Sequence, residues 1–304
     1  MTISVIDIGT NTMLMLTARR GSDGTLDVLG DEHGIARLGR GVDASRTIAP
    51  ETFDRVEGFL RRYHTIATSL GAERIVAFGT SALRDARNRD ELIAAMRQRT
   101  GIEIEVLGGE DEAAWTYRGA LVGLGLDGVR CAVIDIGGGS TELALGDGER
   151  LERAVSVDIG AVRISERYFP TLPPTASALD AARAWAAEAV AGLFAIPHGV
   201  RLVGVAGTVT TLGAIALGLE RFDADELNGT VLRLETIESL IERFARLSRE
   251  QTAAIPQVAE GRADIILGGA TILSAAMRSL ALEEITVSTR GVRYGIAMRE
   301  LGLA

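Results

Sequence analysis

The spacing of apolar residues divides the chain into alternating strand and helix segments. Residues 3–8, 13–19 and 25–30 read as consecutive strands, and a further short strand is expected over 35–38. Over 50–70, Phe53, Val56, Phe59, Leu60 and Tyr63 recur at helical spacing and give one apolar face. A strand at 74–78, a helix at 89–99 ended by Thr100-Gly101, a strand at 102–107 and a helix at 111–124 follow. The glycine-rich passage 123–128 (GLGLDG) reads as a domain junction.

The pattern then begins again. Strands are expected at 131–136, 141–145 and 151–157, and helices at 161–168, stopped by Pro170, and at 177–194. A strand at 202–205 leads into a helix from Thr208, and the rest is mostly helical apart from a strand at 284–287. Pro173-Pro174 and 222–229 read as loops. The two halves share a repeat: VIDIG at 5–9 recurs as VIDIG at 133–137. Each copy continues into a small polar loop, Thr10-Asn11-Thr12 or Gly138-Gly139-Ser140, and then a second strand. Two similar domains carrying one strand–loop–strand device imply a two-lobed α/β protein with a cleft between the loops.

Composition narrows the chemistry. A length of 304 residues accommodates two domains, and 47% hydrophobic with 24% charged residues is an ordinary globular balance. No apolar run approaches the ~20 residues that cross a bilayer, and the most apolar stretch, 202–219, carries four glycines. The opening MTISVIDIG does not read as a signal peptide, and Cys131 is the one cysteine, so a cytoplasmic location away from membranes is expected. A formal charge of −9 argues against nucleic-acid binding. All 32 basic residues are arginine, which removes the P-loop lysine and lysine nucleophiles or bases from consideration. His33, His64 and His198 are scattered, so a histidine zinc site or a Ser-His-Asp triad is not expected. Carboxylates, hydroxyls, backbone amides, arginine and a bound ion remain.

The repeated loops supply such groups. Glycine lets successive amides converge on an anion, and neighbouring hydroxyls add donors. Gly9 to Thr12 and Gly137 to Thr141, with Gly138, Gly139 and Ser140 between, fit that description. Asp7 and Asp135 at the strand ends would repel a phosphate unless a cation, most naturally Mg²⁺, lay between. One such loop alone would read as a glycine hairpin turn; two copies with the same approach favour an anion site. Glu142 alternates onto the side of Ser140 and is either a second metal-ordering carboxylate or an exposed strand residue. GTSALR at 79–84 offers amides and the Arg84 fork, although taken by itself a surface ion pair of Arg84 with Asp85 or Asp90 is the more common arrangement. In GGEDEA at 108–113 the helix dipole alone accounts for three acids in a first turn, and the pattern does not decide whether one of them is a general base. Gly207-Thr208 opens a helix and is a weaker candidate for phosphate.

Taken in order, DIGTNT (7–12), GTSALRDARN (79–88), GGEDEA (108–113), VIDIGGGSTEL (133–143), IGAVRISERYFP (159–170), GVAGTVTTL (204–212) and STRGVRYGI (288–296) resemble the Ppx/GppA family of exopolyphosphatases and guanosine pentaphosphate phosphatases. The resemblance implies an α/β, two-domain actin-like ATPase (ribonuclease H-like) fold with an interdomain cleft. It divides the chain into 1–126 and 127–304, with the last helix free to pack back on the first domain. It makes Glu112 the base that activates water, and Asp7, Asp135 and Glu142 the residues that order Mg²⁺ or another divalent cation. Thr10, Asn11, Thr12, Arg84, Gly137, Gly138, Gly139, Ser140, Thr141, Gly207 and Thr208 would hold phosphate. The implied partner is inorganic polyphosphate, short-chain because the chain resembles the short members, or guanosine pentaphosphate; a homodimer stays open. A kinase of the same superfamily and a non-catalytic sensor of polyphosphate or the nucleotide are the other readings. The departures are Thr10 and Thr12 for serines, Met13-Leu14 where a polar or basic residue is frequent, Asp111 for a glutamate and Tyr294 for an acid.

Overall fold

The computed structural model describes residues 1–126 and 128–303. Contacts group Met1–Gly119 with Val292–Ala304 as one unit and Ala120–Gly291 as a second. The sequence reading sets this division at 126/127; Asp127, on which it falls, lies outside the described residues.

Unit 1 begins with strands β1 (Thr2–Ile8), β2 (Thr12–Arg20) and β3 (Leu26–Ile35). Helices α1 (Val42–Ser45) and α2 (Pro50–Ser69) lead to β4 (Arg74–Gly79). Then come α3 (Ser81–Asp85), α4 (Arg89–Thr100), β5 (Ile104–Val106) and α5 (Gly109–Leu121). Unit 2 continues with β6 (Arg130–Ile136), β7 (Thr141–Asp147), β8 (Arg150–Val157), α6 (Ala161–Tyr168), α7 (Ala176–Val190), β9 (Arg201–Val205) and α8 (Ala206–Leu217). It ends with α9 (Ala224–Leu227), β10 (Val231–Arg233), α10 (Leu234–Phe244), α11 (Arg249–Ala253), α12 (Ile266–Ser279) and β11 (Glu284–Val287). Helix α13 (Val292–Glu300) returns to unit 1.

The sheet orders are β3-β2-β1-β4-β5 and β10-β11-β9-β6-β7-β8. In each, the repeated VIDIG strand is central, antiparallel to its hairpin partner (β2 or β7) and parallel to the strand on its other side (β4 or β9). Strand β1 is buried along nearly its whole length because both faces are covered. Ile6 and Ile8 pack with Val56, Leu60 and Tyr63 of α2 on one face, while Ile3 and Val5 meet Ile296, Ala297 and Leu301 on the other. In unit 2, Ala132, Ile134 and Ile136 join one large core with residues of α6, α7, α10 and α12.

Four local readings change. The strand expected over 35–38 ends at Ile35, because Ala36 and Arg37 turn to donate their N–H groups to the Asn11 carbonyl, with Arg37 at φ 48. The loop expected over 222–229 contains α9, capped by the Asp223 carboxylate, which accepts from Asp225 and Glu226. A single added turn, α3, winds on Gly79, where a Cβ would stand 2.0 Å from Leu83 Cδ1. The three-residue strand β10 is too short to leave a period in the sequence.

Candidate active site

Parallel pairing sets Ile8 beside Gly79 and Gly79 beside Val106, so the segments following β1, β4 and β5 leave one sheet edge. Ligands in α/β sheets gather at this carboxyl end of the strands. The first loop closes with Gly9 N–H donating to the Thr12 carbonyl at 2.9 Å. The Asn11 carbonyl accepts from Ala36 at 3.0 Å and Arg37 at 2.9 Å, and the Thr10 carbonyl accepts from Gly39 at 2.8 Å. In a planar trans peptide the carbonyl and the next N–H point oppositely. The amides of Asn11 and Thr12 are therefore turned away from residues 36–39. Thr10 and Asn11 are buried, and a Cβ on Gly39 would stand 2.2 Å from Thr10 Cγ2, so the loop rests tightly on its support. Asp7 is buried beneath it, its Oδ1 3.8 Å from where a Gly9 Cβ would lie.

The acidic turn resolves into unequal members. Glu110 and Asp111 are not buried, as the helix-dipole reading expects, whereas Glu112 is 8% exposed. Glu112 Oε2 accepts from Arg84 Nη1 at 2.5 Å, and the same nitrogen donates to the Leu107 carbonyl at 2.9 Å. Arg84 thus pairs with Glu112 across 28 residues; Asp85 pairs with Arg46 at 2.9 Å and Asp90 with Arg89 at 3.6 Å. Burial pushes the Glu112 carboxyl above the usual range, and the Arg84 charge and hydrogen bond pull against that rise.

In unit 2 the second loop repeats the closure: Gly137 N–H donates to the Ser140 carbonyl at 3.1 Å. Its carbonyls face α6. Gly137 accepts from Ala161 at 2.9 Å, Gly138 from Val162 at 2.8 Å, and Gly139 from Arg163 Nε at 2.9 Å. By the same planarity, the amides of Gly138, Gly139 and Ser140 are directed away from the helix. Asp135 and Glu142 are direct cross-strand partners, so their side chains share one face of the sheet. Glu142 is 1% exposed, which overturns the exposed reading, and its Oε1 accepts from Ser156 Oγ at 2.7 Å. Thr141 is fully buried, and its hydroxyl donates to the Ile159 carbonyl at 2.6 Å.

Register also sets Val205 beside Asp135, which brings the start of α8 next to the second loop. Ala206 opens that helix at φ 65, a left-handed conformation costly for a residue with a Cβ. Thr208 is buried against Gly269, where a Cβ would meet its Oγ1 at 2.3 Å. Gly207 carries the Arg262 guanidinium: a Cβ there would fall 1.4 Å from Nη1. Arg262 has no ion-pair partner among the described residues, and burial alone pulls it down to about 10, which leaves it cationic at neutral pH.

The sequence reading missed Arg163 and Arg262 as site neighbours. Arg163 lies inside IGAVRISERYFP, and its position three residues after Gly160 at a helix start was the available signal; Arg262, 55 residues from Gly207, left none. Unit 1 carries Asp7, Thr10, Asn11, Thr12, Arg84 and Glu112, and unit 2 the remaining candidates. Among the described residues no three or more acid, histidine or cysteine side chains converge as a ready-made metal cage, and no helix is long and apolar enough to cross a membrane. A cavity of about 790 Å³ in unit 2 is lined by α7, α10 and α12 and includes none of the site residues.

Comparison with known proteins agrees with these motifs. A protein-family model described as the Ppx/GppA phosphatase family matches residues 18–304. The chain is 35% identical to Exopolyphosphatase 2 of Mycobacterium tuberculosis, covering 99% of this chain and 98% of that protein. It is 30% identical to a guanosine-5′-triphosphate,3′-diphosphate pyrophosphatase of Vibrio atlanticus, covering 97% of this chain and 58% of that protein. A crystal structure of an exopolyphosphatase-like protein superposes with a TM-score of 0.90 at 29% identity, covering 99% of both chains. With its two-unit α/β fold, this chain belongs to the Ppx/GppA phosphatase family.

Proposed function

We propose that the protein is an exopolyphosphatase that releases terminal orthophosphate from short-chain inorganic polyphosphate in a Mg²⁺-dependent hydrolysis. The observation that carries this reading is Glu112, a buried carboxylate at the start of α5 whose burial raises its affinity for a proton and whose position Arg84 holds. In the proposed reaction Glu112 takes a proton from water. The water oxygen forms a bond to the terminal phosphorus as the bridging P–O bond breaks, and the shortened chain leaves with the bridging oxygen. Each unit offers donors suited to phosphate oxygens: the amides of Asn11 and Thr12 with the Thr10 hydroxyl in unit 1, and the amides of Gly138, Gly139 and Ser140 with the Ser140 hydroxyl in unit 2. The Gly207-Thr208 helix start, with the Arg262 charge against it, supplies a further anion-favouring group.

The donor chemistry suits a hard divalent ion. Asp135 and the deeply buried Glu142 offer carboxylate oxygens from one sheet face, and Ser156 fixes one Glu142 oxygen. Two protein carboxylates with phosphate and water oxygens form a typical Mg²⁺ set, and Asp7 is a third candidate ligand in unit 1. Bound Mg²⁺ would neutralise charge on the phosphate oxygens.

A second reading, guanosine pentaphosphate hydrolysis, is favoured by the Vibrio atlanticus relative. The mycobacterial exopolyphosphatase is the more similar of these two relatives, at 35% against 30% identity, which supports polyphosphate as the substrate. Phosphate release from tripolyphosphate, longer polyphosphate and guanosine pentaphosphate, measured side by side with and without Mg²⁺, tests both. Higher kcat/KM on the nucleotide would replace the first reading with the second. Phosphate release undiminished by chelation would remove the metal.

A further inference from the structure

Arg163 is buried to 4% exposure in the first turn of α6. Burying a guanidinium is costly unless its donors are satisfied, so its orientation is strongly set. Nε donates to the Gly139 carbonyl at 2.9 Å, and the backbone N–H reaches the Gly138 carbonyl at 3.3 Å. Ala161 and Val162 hold the Gly137 and Gly138 carbonyls through backbone amides, which any residue at those positions other than proline would supply. The Gly139 carbonyl is held by a side chain. In the first loop the matching contacts come from the amides of Ala36, Arg37 and Gly39.

The peptide in question joins Gly139 to Ser140. Glycine at its N-terminal side permits a wide range of ψ, so on that side rotation of the peptide plane has little steric opposition. A flip would turn the carbonyl outward and the Ser140 N–H inward, replacing a donor with an acceptor on the face that meets an anion. We infer that Arg163 is a positioning residue that locks the Gly139–Ser140 peptide, so that the Ser140 amide is the group presented to phosphate. The inference rests on the reading that the second loop holds phosphate. Two further features fit it. Gly160 lies against the preceding Gly138–Gly139 peptide, a Cβ there falling 2.4 Å from Gly138 C and Gly139 N, so α6 is pressed onto the loop. The guanidinium also polarises the peptide it holds, making the opposite N–H a better donor.

The test is steady-state hydrolysis of tripolyphosphate, with thermal melts, for Arg163→Met, Arg163→Gln, Arg163→Lys and Ser140→Ala. Arg163→Met is expected to raise KM by roughly tenfold or more with kcat within about threefold of wild type, because a contact made equally to ground and transition states appears in KM. A defect of folding alone would lower the active fraction, and hence apparent kcat, at unchanged KM. Arg163→Lys keeps one charged donor and is expected to recover part of the loss. If Arg163→Met does not fold, Arg163→Gln carries the same expectation with a neutral donor. A folded Met or Gln variant with wild-type KM overturns the lock, as does a Lys variant no better than Met. When Ser140→Ala raises KM and the Arg163 variants do not, the lock alone fails. When none of them changes KM, the phosphate reading of the loop fails with it.

Discussion

Replacing Glu112 by Gln tests the chemistry with little change in shape. The side chain keeps its length, and its amide oxygen can still accept from Arg84 Nη1, now 2.5 Å from Oε2 and also bound to the Leu107 carbonyl. The ion pair becomes an ordinary hydrogen bond. Against that loss stands relief of a buried negative charge that the site already disfavours. The net stability cost should be about 1 kcal/mol. Loss of a general base costs on the order of 10²- to 10⁴-fold in kcat, or roughly 3–5 kcal/mol of barrier. Phosphate release should therefore fall by at least about a hundredfold, while tripolyphosphate binding by titration calorimetry stays near wild type. A companion pH profile adds a sign. The base works deprotonated, and burial raises its pKa, so the acid limb of kcat/KM should lie above the ordinary carboxylate range. Arg84 opposes that rise, so Arg84→Gln should move the limb to higher pH still. Turnover of the Glu112→Gln variant within about tenfold of wild type would refute the assignment, and a limb that moved to lower pH without Arg84 would refute the electrostatics.

Gly160→Ala should disable the second loop, because its Cβ would meet backbone atoms of Gly138 and Gly139 at 2.4 Å and backbone cannot yield as a side chain can; kcat/KM for tripolyphosphate should fall at least about tenfold in a folded protein. Glu142→Gln and Asp135→Asn should raise the Mg²⁺ concentration for half-maximal phosphate release by roughly 10- to 100-fold, and an unchanged Mg²⁺ requirement would remove them as ligands. Desolvation pushes the Asp31 carboxyl up, but hydrogen bonds and charge from His33 and Arg293 outweigh it and hold it at about 2. A depressed carboxylate stabilises the fold above pH ~4 and ceases to do so as pH falls towards ~2, so unfolding by urea should show about 2 kcal/mol lost over that window in wild type and little pH dependence from this source in Asp31→Asn.

Local signals were legible and long-range pairings were not. The bounds of α6 and β11 follow from apolar period with a stopping Pro170 or a short buried run, and the VIDIG repeat exposes the doubled sheet because both copies fill the same central position. Taken alone, Arg84 reads as a surface partner of its sequence neighbours Asp85 or Asp90, whereas Glu112, which it pairs with, is brought alongside by β4–β5 pairing. Burial separates Glu112 from Glu110 and Asp111, and no helical pattern in three successive acids could show which one turns inward. The Tyr294 departure also becomes intelligible in three dimensions: its hydroxyl donates to Asp31 at 3.1 Å beside Arg293, a place where an acid would face another carboxylate.

The two repeated loops reach similar backbone closures through different supports, and the difference bears on how an acidic chain would hold the proposed polyanion. A net charge of −9 gives no long-range attraction, and the absence of lysine leaves no mobile ammonium to follow a phosphate chain. Two guanidinium groups beside the candidate residues are held by hydrogen bonds, Arg84 on Glu112 and Leu107 in unit 1 and Arg163 on Gly139 in unit 2, and Arg262 lies against Gly207. Fixed in this way, Arg84 and Arg163 would lose little entropy when a ligand arrives and would act through what they orient, a carboxylate and a peptide plane. On the proposed reading, recognition in this chain is therefore a matter of prearranged short-range donors. That is why substitutions behind the loops, at Gly160 and Arg163, should weaken phosphate binding even though neither side chain position is among the groups proposed to touch it.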